Sequence, residues 1–337
     1  MNRRELIKKT ALAAGLGIFS SDLVFGQKEP HILSGANSMV AEPQRLELGD
    51  LEIFILSDGF LRLSNLNAFS SRADIGVMKN ILHDNFRSED FIDTGMNIPL
   101  VRTKDRLVLI DSGMGIFSNE MNGKLLDCLS NAGIKPEQIT DIFISHAHID
   151  HIGGLVDKNN NLVFQRAKHH IAQIEFEFWM NAGLEDFKNS DLSKNPKNLL
   201  FEIDAAKRIL SAIKPNLLYF DYQNSLYEHF TFELVGGHTP GMTFINIRSG
   251  DKQFTYIADQ AHSDVLLFPY PEWGFFADTD IDLAISSRKK MNKQLSKSRV
   301  ATIGYHLPYP GIGFIKKEYD RYHWNPLVQF TIGSIHL

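Results

Sequence analysis

The stretch from Ser145 to Leu155, SHAHIDHIGGL, constrains this chain more than any other. His146, His148, Asp150 and His151 fall within six residues, after the apolar run Ile142–Ile144 and before Gly153-Gly154. A strand that ends in a ligand-dense loop and then turns through glycines fixes several metal donors on a rigid support. Such a loop is an incomplete site, so the rest of the chain must bring further donors to it.

Composition limits what those donors can be. The only cysteine, Cys128, excludes an intrachain disulfide and a thiolate cluster, so a metal here is held by His and Asp. Cys128 itself reads as a small core residue within the apolar Leu125–Leu129 pattern. A formal net charge of -5 and a pI near 6.2 argue against a nucleic-acid partner. The pairs Lys289-Lys290 and Lys316-Lys317 read as solvated surface. With 24 phenylalanines, an aromatic-lined pocket is easy to build.

Residues 1–27 read as an export signal. Arg3-Arg4 and Lys8-Lys9 precede the apolar segment Ala11–Phe19, with Gly26 before Gln27 as a cleavage point. The apolar part is too short to span a bilayer, and no cysteine lies nearby to carry a lipid. The expectation is a periplasmic or secreted protein with no stable membrane anchor once the signal is removed. Both a twin-arginine and a general secretory route fit the segment. Residues 28–48 are polar, with Pro30 and Pro43, and read as a poorly ordered lead-in to a single domain over 49–337.

Within that domain, Leu51–Leu56 alternates as a strand and Ser57-Asp58-Gly59 reads as its turn. Residues 59–93 lack a clean period and read as either a flap or an irregular insertion. Ile98–Thr103 and Leu107–Ile110 read as paired strands, Met121–Ala132 as a helix stopped by Gly133, and Leu162–Phe164 and His169–Ala172 as strands. Helices are expected over Ile174–Ala182, Leu199–Ile213 and Asp280–Ser298, and strands over Leu217–Phe220, Phe230–Val235, Thr243–Ile247, Phe254–Ala258 and Val300–Ile303. Interleaved strands and helices in both halves favour one layered α/β domain.

Three of these strands end in further donors: Phe230–Val235 before the GGHTPG stretch with His238, Phe254–Ala258 before Asp259, and Val300–Ile303 before His306. HAHIDH, then GHTPGM, then Asp259 and His306, in that order, resembles the metallo-β-lactamase superfamily with a full two-metal ligand set. The resemblance spans about residues 50 to 310 and implies a four-layer αββα sandwich with the site at one edge of its two sheets. It further implies that His146, His148 and His238 hold one metal, that Asp150, His151 and His306 hold a second, and that Asp259 bridges them. Two divalent ions about 3.5–4 Å apart can share a hydroxide that attacks the substrate, with Asp150 orienting it. Zinc is the expected ion, although His and Asp alone do not separate it from manganese, cobalt or iron. Asp111, at the end of Leu107–Ile110, matches an aspartate that orients a liganding histidine.

The departures narrow the reading to a hydrolase of small ester-like substrates: a lactone, an aryl ester or a phosphotriester. Aspartate at 259 disfavours antibiotic hydrolysis, where many members carry cysteine. GGHTPGM, the aromatic run after Asp259, and the stretch from Gly304 to Gly311 resemble the branch of methyl parathion hydrolase and N-acyl homoserine lactone lactonase, the last stretch most resembling the former. Phe268, Tyr270, Trp273, Phe275 and Phe276 are the candidates for an apolar substrate pocket. His262 is the background histidine nearest Asp259 in sequence. The alternative is a redox member of the same fold, an iron-dependent oxygenase or oxygen reductase. A homodimer is compatible with the chain.

Overall fold

The computed structural model describes residues 40–70, 72–328 and 335–336. The export signal expected over 1–27 lies outside the described residues.

Two strands open the fold, β1 (Gln44–Leu48) and the long β2 (Leu51–Leu63). The expected lead-in is therefore corrected at its end, because β1 pairs antiparallel with β2 and buries Leu46 and Leu48. Ser57-Asp58-Gly59 is not a turn. It is a bulge where the pairing of β2 shifts, and the strand runs on through it. Next come α1 (Ile75–Asp84), β3 (Ile92–Arg102), β4 (Leu107–Ile110), α2 (Leu125–Asn131), β5 (Asp141–Phe143), the single turn α3 (Ile149–Ile152), β6 (Lys168–Ile171), α4 (Gln173–Asn181), α5 (Pro196–Ile213) and β7 (Leu217–Tyr219). The second half holds β8 (Phe230–Leu234), β9 (Thr243–Ser249), β10 (Lys252–Tyr256), α6 (Ile281–Ser298), β11 (Ala301–Ile303), β12 (Ile312–Glu318), β13 (Arg321–Pro326) and β14 (Ile335–His336). Leu162–Phe164 forms no strand and makes only a bridge from Leu162 to Val156.

The strands form two mixed sheets, in the orders β14-β1-β2-β3-β4-β5-β6-β7 and β13-β12-β11-β10-β9-β8. Their facing sides supply the core. Phe143 of β5 meets Phe230 and Phe232 of β8 edge-on at 5.0 and 5.4 Å, and Phe220 stacks on Phe232 at 4.1 Å. Helices cover the outer faces, with α2 on β2 and α6 on β12. The result is an αββα sandwich. Helix α6 shows why the sequence permits this: Ile281, Ala284, Ile285, Arg288, Met291 and Leu295 recur at helical spacing and are buried. Its start is set by Asp280, whose carboxylate accepts the Leu283 N–H at 3.0 Å. Among the described residues no helix is long and apolar enough to cross a membrane.

The sandwich is tied together at the edge where strands end in donors. Asn97 of β3, in the large sheet, donates its side-chain amide to the carbonyls of Gly304, Tyr305 and Leu307 at 3.1, 2.9 and 2.7 Å. Those carbonyls belong to the loop after β11, in the small sheet. Asn97→Ala removes this donor from the Gly304 and Leu307 carbonyls, while the Tyr305 carbonyl keeps the Asn97 main-chain N–H, and should cost about 2 kcal/mol of stability in urea unfolding.

Candidate metal centre

The ligand-dense loop is assembled from short pieces of regular structure. Strand β5 ends at Phe143, the loop 144–148 follows, and His148 sits at the N-cap of α3, which carries Asp150 and His151. His238 stands on the loop after β8, Asp259 follows β10, and His306 follows β11. Two backbone positions in this edge take left-handed φ on non-glycine residues, Asp111 at 64° and Ala258 at 46°. Such strain persists only where the surroundings enforce it, and here both positions flank the donor cluster.

The structure brings all seven proposed donors together and divides them into two groups. Ligand atoms of His146, His148, His238 and Asp259 lie within 4.8 Å of one another, and so do those of Asp150, His151, Asp259 and His306. Asp259 belongs to both. In the first group Nε2 of His146 and Nε2 of His238 lie 3.1 and 3.0 Å from Nδ1 of His148. In the second, Oδ1 of Asp259 lies 3.0 Å from Nε2 of His151, and Oδ2 lies 3.1 Å from Nε2 of His306. Asp150 Oδ2 approaches the same His306 nitrogen at 3.3 Å.

This donor set fits a pair of cations. Three imidazole nitrogens converge within about hydrogen-bond distance, where lone pairs repel unless something positive lies between them. Nε2 of His151 and Oδ1 of Asp259 are buried and lie 3.0 Å apart without the alignment of a hydrogen bond, an arrangement that costs energy unless a ligand binds there. Electrostatics points the same way. Burial works against charge on Asp259, but His151, His306 and His146 hold its carboxyl well below the usual range. Burial also opposes charge on His306, yet Asp259 and Asp150 push it up to about 9. His148 has no such balance. Burial and the neighbouring His238 lower it to about 3, which leaves it a neutral donor. The pocket thus demands positive charge beside its carboxylates.

Three of the ligand histidines are oriented from behind by groups distant in sequence. Asp111 Oδ2 takes His151 Nδ1 at 2.8 Å, Asp278 Oδ1 takes His238 Nδ1 at 2.8 Å, and the Gly95 carbonyl takes His306 Nδ1 at 2.9 Å. Each contact fixes the tautomer that turns the other nitrogen inward. Asp111 also accepts the N–H and hydroxyl of Ser145 at 2.7 Å each and the Tyr256 hydroxyl at 2.7 Å. Asp278 is backed by the fully buried Arg288, whose Nη2 lies 3.5 Å away. The Tyr305 ring lies 3.9 Å from that of His151, and its hydroxyl donates to the Asp150 carbonyl at 2.6 Å.

Sequence reading missed several of these. Asp278 lies inside the aromatic run with nothing local to mark it, and Tyr256 and Asn97 read as ordinary strand residues. Glu175 left a faint signal, as an acid one helical turn before Trp179 on the buried face of α4. His262 is closer to the chemistry than a background residue: its Nε2 is 3.2 Å from Asp259 Oδ2, and its ring stacks on Phe275 at 3.5 Å and on His306 at 4.7 Å.

The five aromatic candidates separate. Phe275 adjoins the centre through His262, and Phe276 lies beside it at 4.9 Å. The other three have ring contacts away from the donors. Phe268 is fully buried and stacks on Trp324, and Tyr270 stacks on Trp273 and lies under Arg321. Both Trp324 and Arg321 belong to β13. The pocket expectation is therefore corrected for Phe268, which is a core residue. A cleft of about 110 Å³ instead opens beside His262 and His306, walled by Leu82, Phe91, Ile92 and Val265, with Arg87 and Asp264 paired at 2.8 Å near the surface. Half of its lining residues come from the 59–93 segment, which therefore borders the cleft.

The profile of the Metallo-beta-lactamase superfamily matches residues 95–302. The chain belongs to that superfamily. Among solved structures it is similar to AidC, a dizinc quorum-quenching lactonase in complex with a product, at 48% identity and a TM-score of 0.85, covering 87% of this chain and 99% of that one. It is also similar to the hydrolase AbOPH, at 25% identity and a TM-score of 0.79, covering 87% and 100%. Among curated proteins it matches an N-acyl homoserine lactonase of Bacillus cereus, 28% identical over 106 residues, and a ribonuclease Z of Lactococcus lactis, 31% identical over 120 residues. These cover 31% and 32% of this chain, and only 35% and 36% of the relatives' own length. The chain is a metal-dependent hydrolase with a donor set suited to two divalent ions, and its similarity to a dizinc lactonase does not favour the redox alternative. The finer leaning toward methyl parathion hydrolase is not carried by these matches.

Asp111→Asn tests the support behind the donors. Asparagine tolerates the left-handed backbone at this position, so the change alters chiefly the acceptor. Metal affinity should fall about 10–100-fold in competition with a chelator, and because Ser145 and Tyr256 also donate to this buried carboxylate, the metal-free protein should melt at a lower temperature as well.

Proposed function

We propose that this protein is a dinuclear zinc lactonase that opens N-acyl homoserine lactones or closely similar cyclic esters. The observation that carries the reading is the complete seven-donor centre in a chain 48% identical to a dizinc lactonase over nearly all of both chains. His146, His148 and His238 would hold one ion, Asp150, His151 and His306 the other, and Asp259 both. When bound, such a pair supplies Lewis acidity and a water acidic enough to attack near neutral pH.

The chain's own residues define what can approach. Asp150 is the most open of the donors, with a side chain 12% exposed, and stands where a substrate or water can reach it. His262 lies beside the donors, its Nε2 3.2 Å from Asp259 Oδ2 and its ring stacked on His306, so it shapes the side of the centre that faces the cleft. The cleft beside it offers Leu82, Phe91, Ile92 and Val265 to the acyl part of a substrate. The basic and apolar leader of residues 1–27 supports a periplasmic or secreted location for this activity.

A substrate panel on metal-quantified protein tests the proposal. N-acyl homoserine lactones should be turned over with higher kcat/KM than p-nitrophenyl esters or an aryl phosphotriester, by protein holding two zinc ions per chain. Asp259→Ala should lose at least a thousand-fold in kcat/KM, about 4 kcal/mol of transition-state stabilisation. Inert lactones beside a rapidly cleaved phosphotriester would overturn the substrate assignment. Undiminished Asp259→Ala would overturn the centre.

A further inference from the structure

We propose that Glu175 is a positioning residue for the three-histidine half of the centre, bracing the His146–His148 loop against the His238 loop with one buried carboxylate. It rests on the dinuclear reading only in needing a cation at those three histidines. Glu175 lies in α4, outside both loops, and is fully buried. One oxygen accepts the Ala147 N–H at 2.9 Å and the Trp179 indole N–H at 2.7 Å. The other accepts the Thr239 hydroxyl at 2.8 Å and the Gly241 N–H at 2.7 Å. Ala147 is flanked by His146 and His148, and Thr239 follows His238. A single carboxylate is thus bonded one residue away from all three ligands of one half.

The chemistry of the four contacts is specific to a carboxylate. All four partners are donors, and a carboxylate is the side chain that offers only acceptors. An amide in its place would turn an NH₂ group against donors on one side. The close approach is built into the sequence at Gly241, where a Cβ would overlap the Glu175 backbone and side chain. The four donors are neutral groups, so the negative charge of Glu175 adds to the field that favours a cation at the adjacent histidines. The other half of the centre has separate support from Asp111, Tyr305 and the Gly95 carbonyl. The effect of Glu175 should therefore be lopsided.

The test reads metal binding, which does not depend on the substrate. Metal-free Glu175→Gln, titrated with Zn²⁺ against a chromogenic chelator, should keep one tight ion per chain and bind the other about 30-fold more weakly. The Co²⁺-loaded variant should show an altered visible spectrum. The weakening should persist when His306→Ala cripples the other half and vanish in a His148→Ala background, as a double-mutant cycle requires. Two ions bound with unchanged affinity would overturn the proposal, and so would weakening that follows His306 instead of His148. If Glu175→Gln does not fold, Thr239→Val decides. It removes one of the four donors, and several-fold weaker binding at the same half supports the brace, whereas unchanged binding refutes it. Absence of lactonase activity with this metal pattern intact would sink the substrate assignment alone.

Discussion

The centre depends on holding together groups that repel one another. Three imidazole nitrogens meet at 3.0 and 3.1 Å, and Asp150 and Asp259 crowd one nitrogen of His306 at 3.3 and 3.1 Å. Nothing in the local sequence favours this. Buried like-poled groups with unpartnered atoms raise the energy of the folded state, by several kcal/mol where charge is involved. The scaffold must therefore be stiff at this edge, and a cation that relieves the repulsion also adds its binding energy to folding. Stability and metal content are in this sense one quantity for the chain.

That requirement explains where the structure spends its polar contacts. The donors come from both sheets, and several are approached from behind by a group on another element. Asp111 links the end of β4 to the His146–His151 loop and to Tyr256 of β10. Asp278 links the aromatic loop to His238 and, through Arg288, to α6. Asn97 links β3 to the loop of His306, and Glu175 links α4 to both loops of the three-histidine half. The strained φ values at Asp111 and Ala258 belong to the same accounting, since an unsupported loop would relax them. The aromatic core between β5 and β8 holds the two sheets at the spacing these links need.

The donors were legible in the sequence because chemistry forces residue type and strand context together. A His–x–His–x–Asp–His loop after a strand has few other uses, and His238, Asp259 and His306 each end an apolar run. The groups behind them were mostly not legible. Asp278, Asn97 and Tyr256 act across tens to hundreds of residues, and no local period marks a side chain whose partner lies in the other sheet. The fold was readable where burial imposes a period, as in α5 and α6. It was misread where long-range pairing overrode local composition. Leu46 and Leu48 turned a polar lead-in into a strand, and the bulge at Ser57–Phe60 carried β2 through residues that resemble a turn. The aromatic run after Asp259 looked uniform, but its residues divide between the centre and β13, because alternate side chains of an irregular loop face different neighbours.

The division of labour along the chain has a consequence for how such a site changes function. The ligand loops are locked to one another through buried bonds, so a substitution among them disturbs the metals before it alters selectivity. The cleft wall is different. Leu82 and Phe91 come from the segment between β2 and β3 and Ile92 opens β3; none of them is a ligand, and the segment is fastened to the 259–278 loop by Arg87 with Asp264. Leu82 and Ile92 are themselves buried, so reshaping the wall means repacking this part of the core, but it leaves the donors in place, and an enzyme of this build can change its substrate without rebuilding its centre.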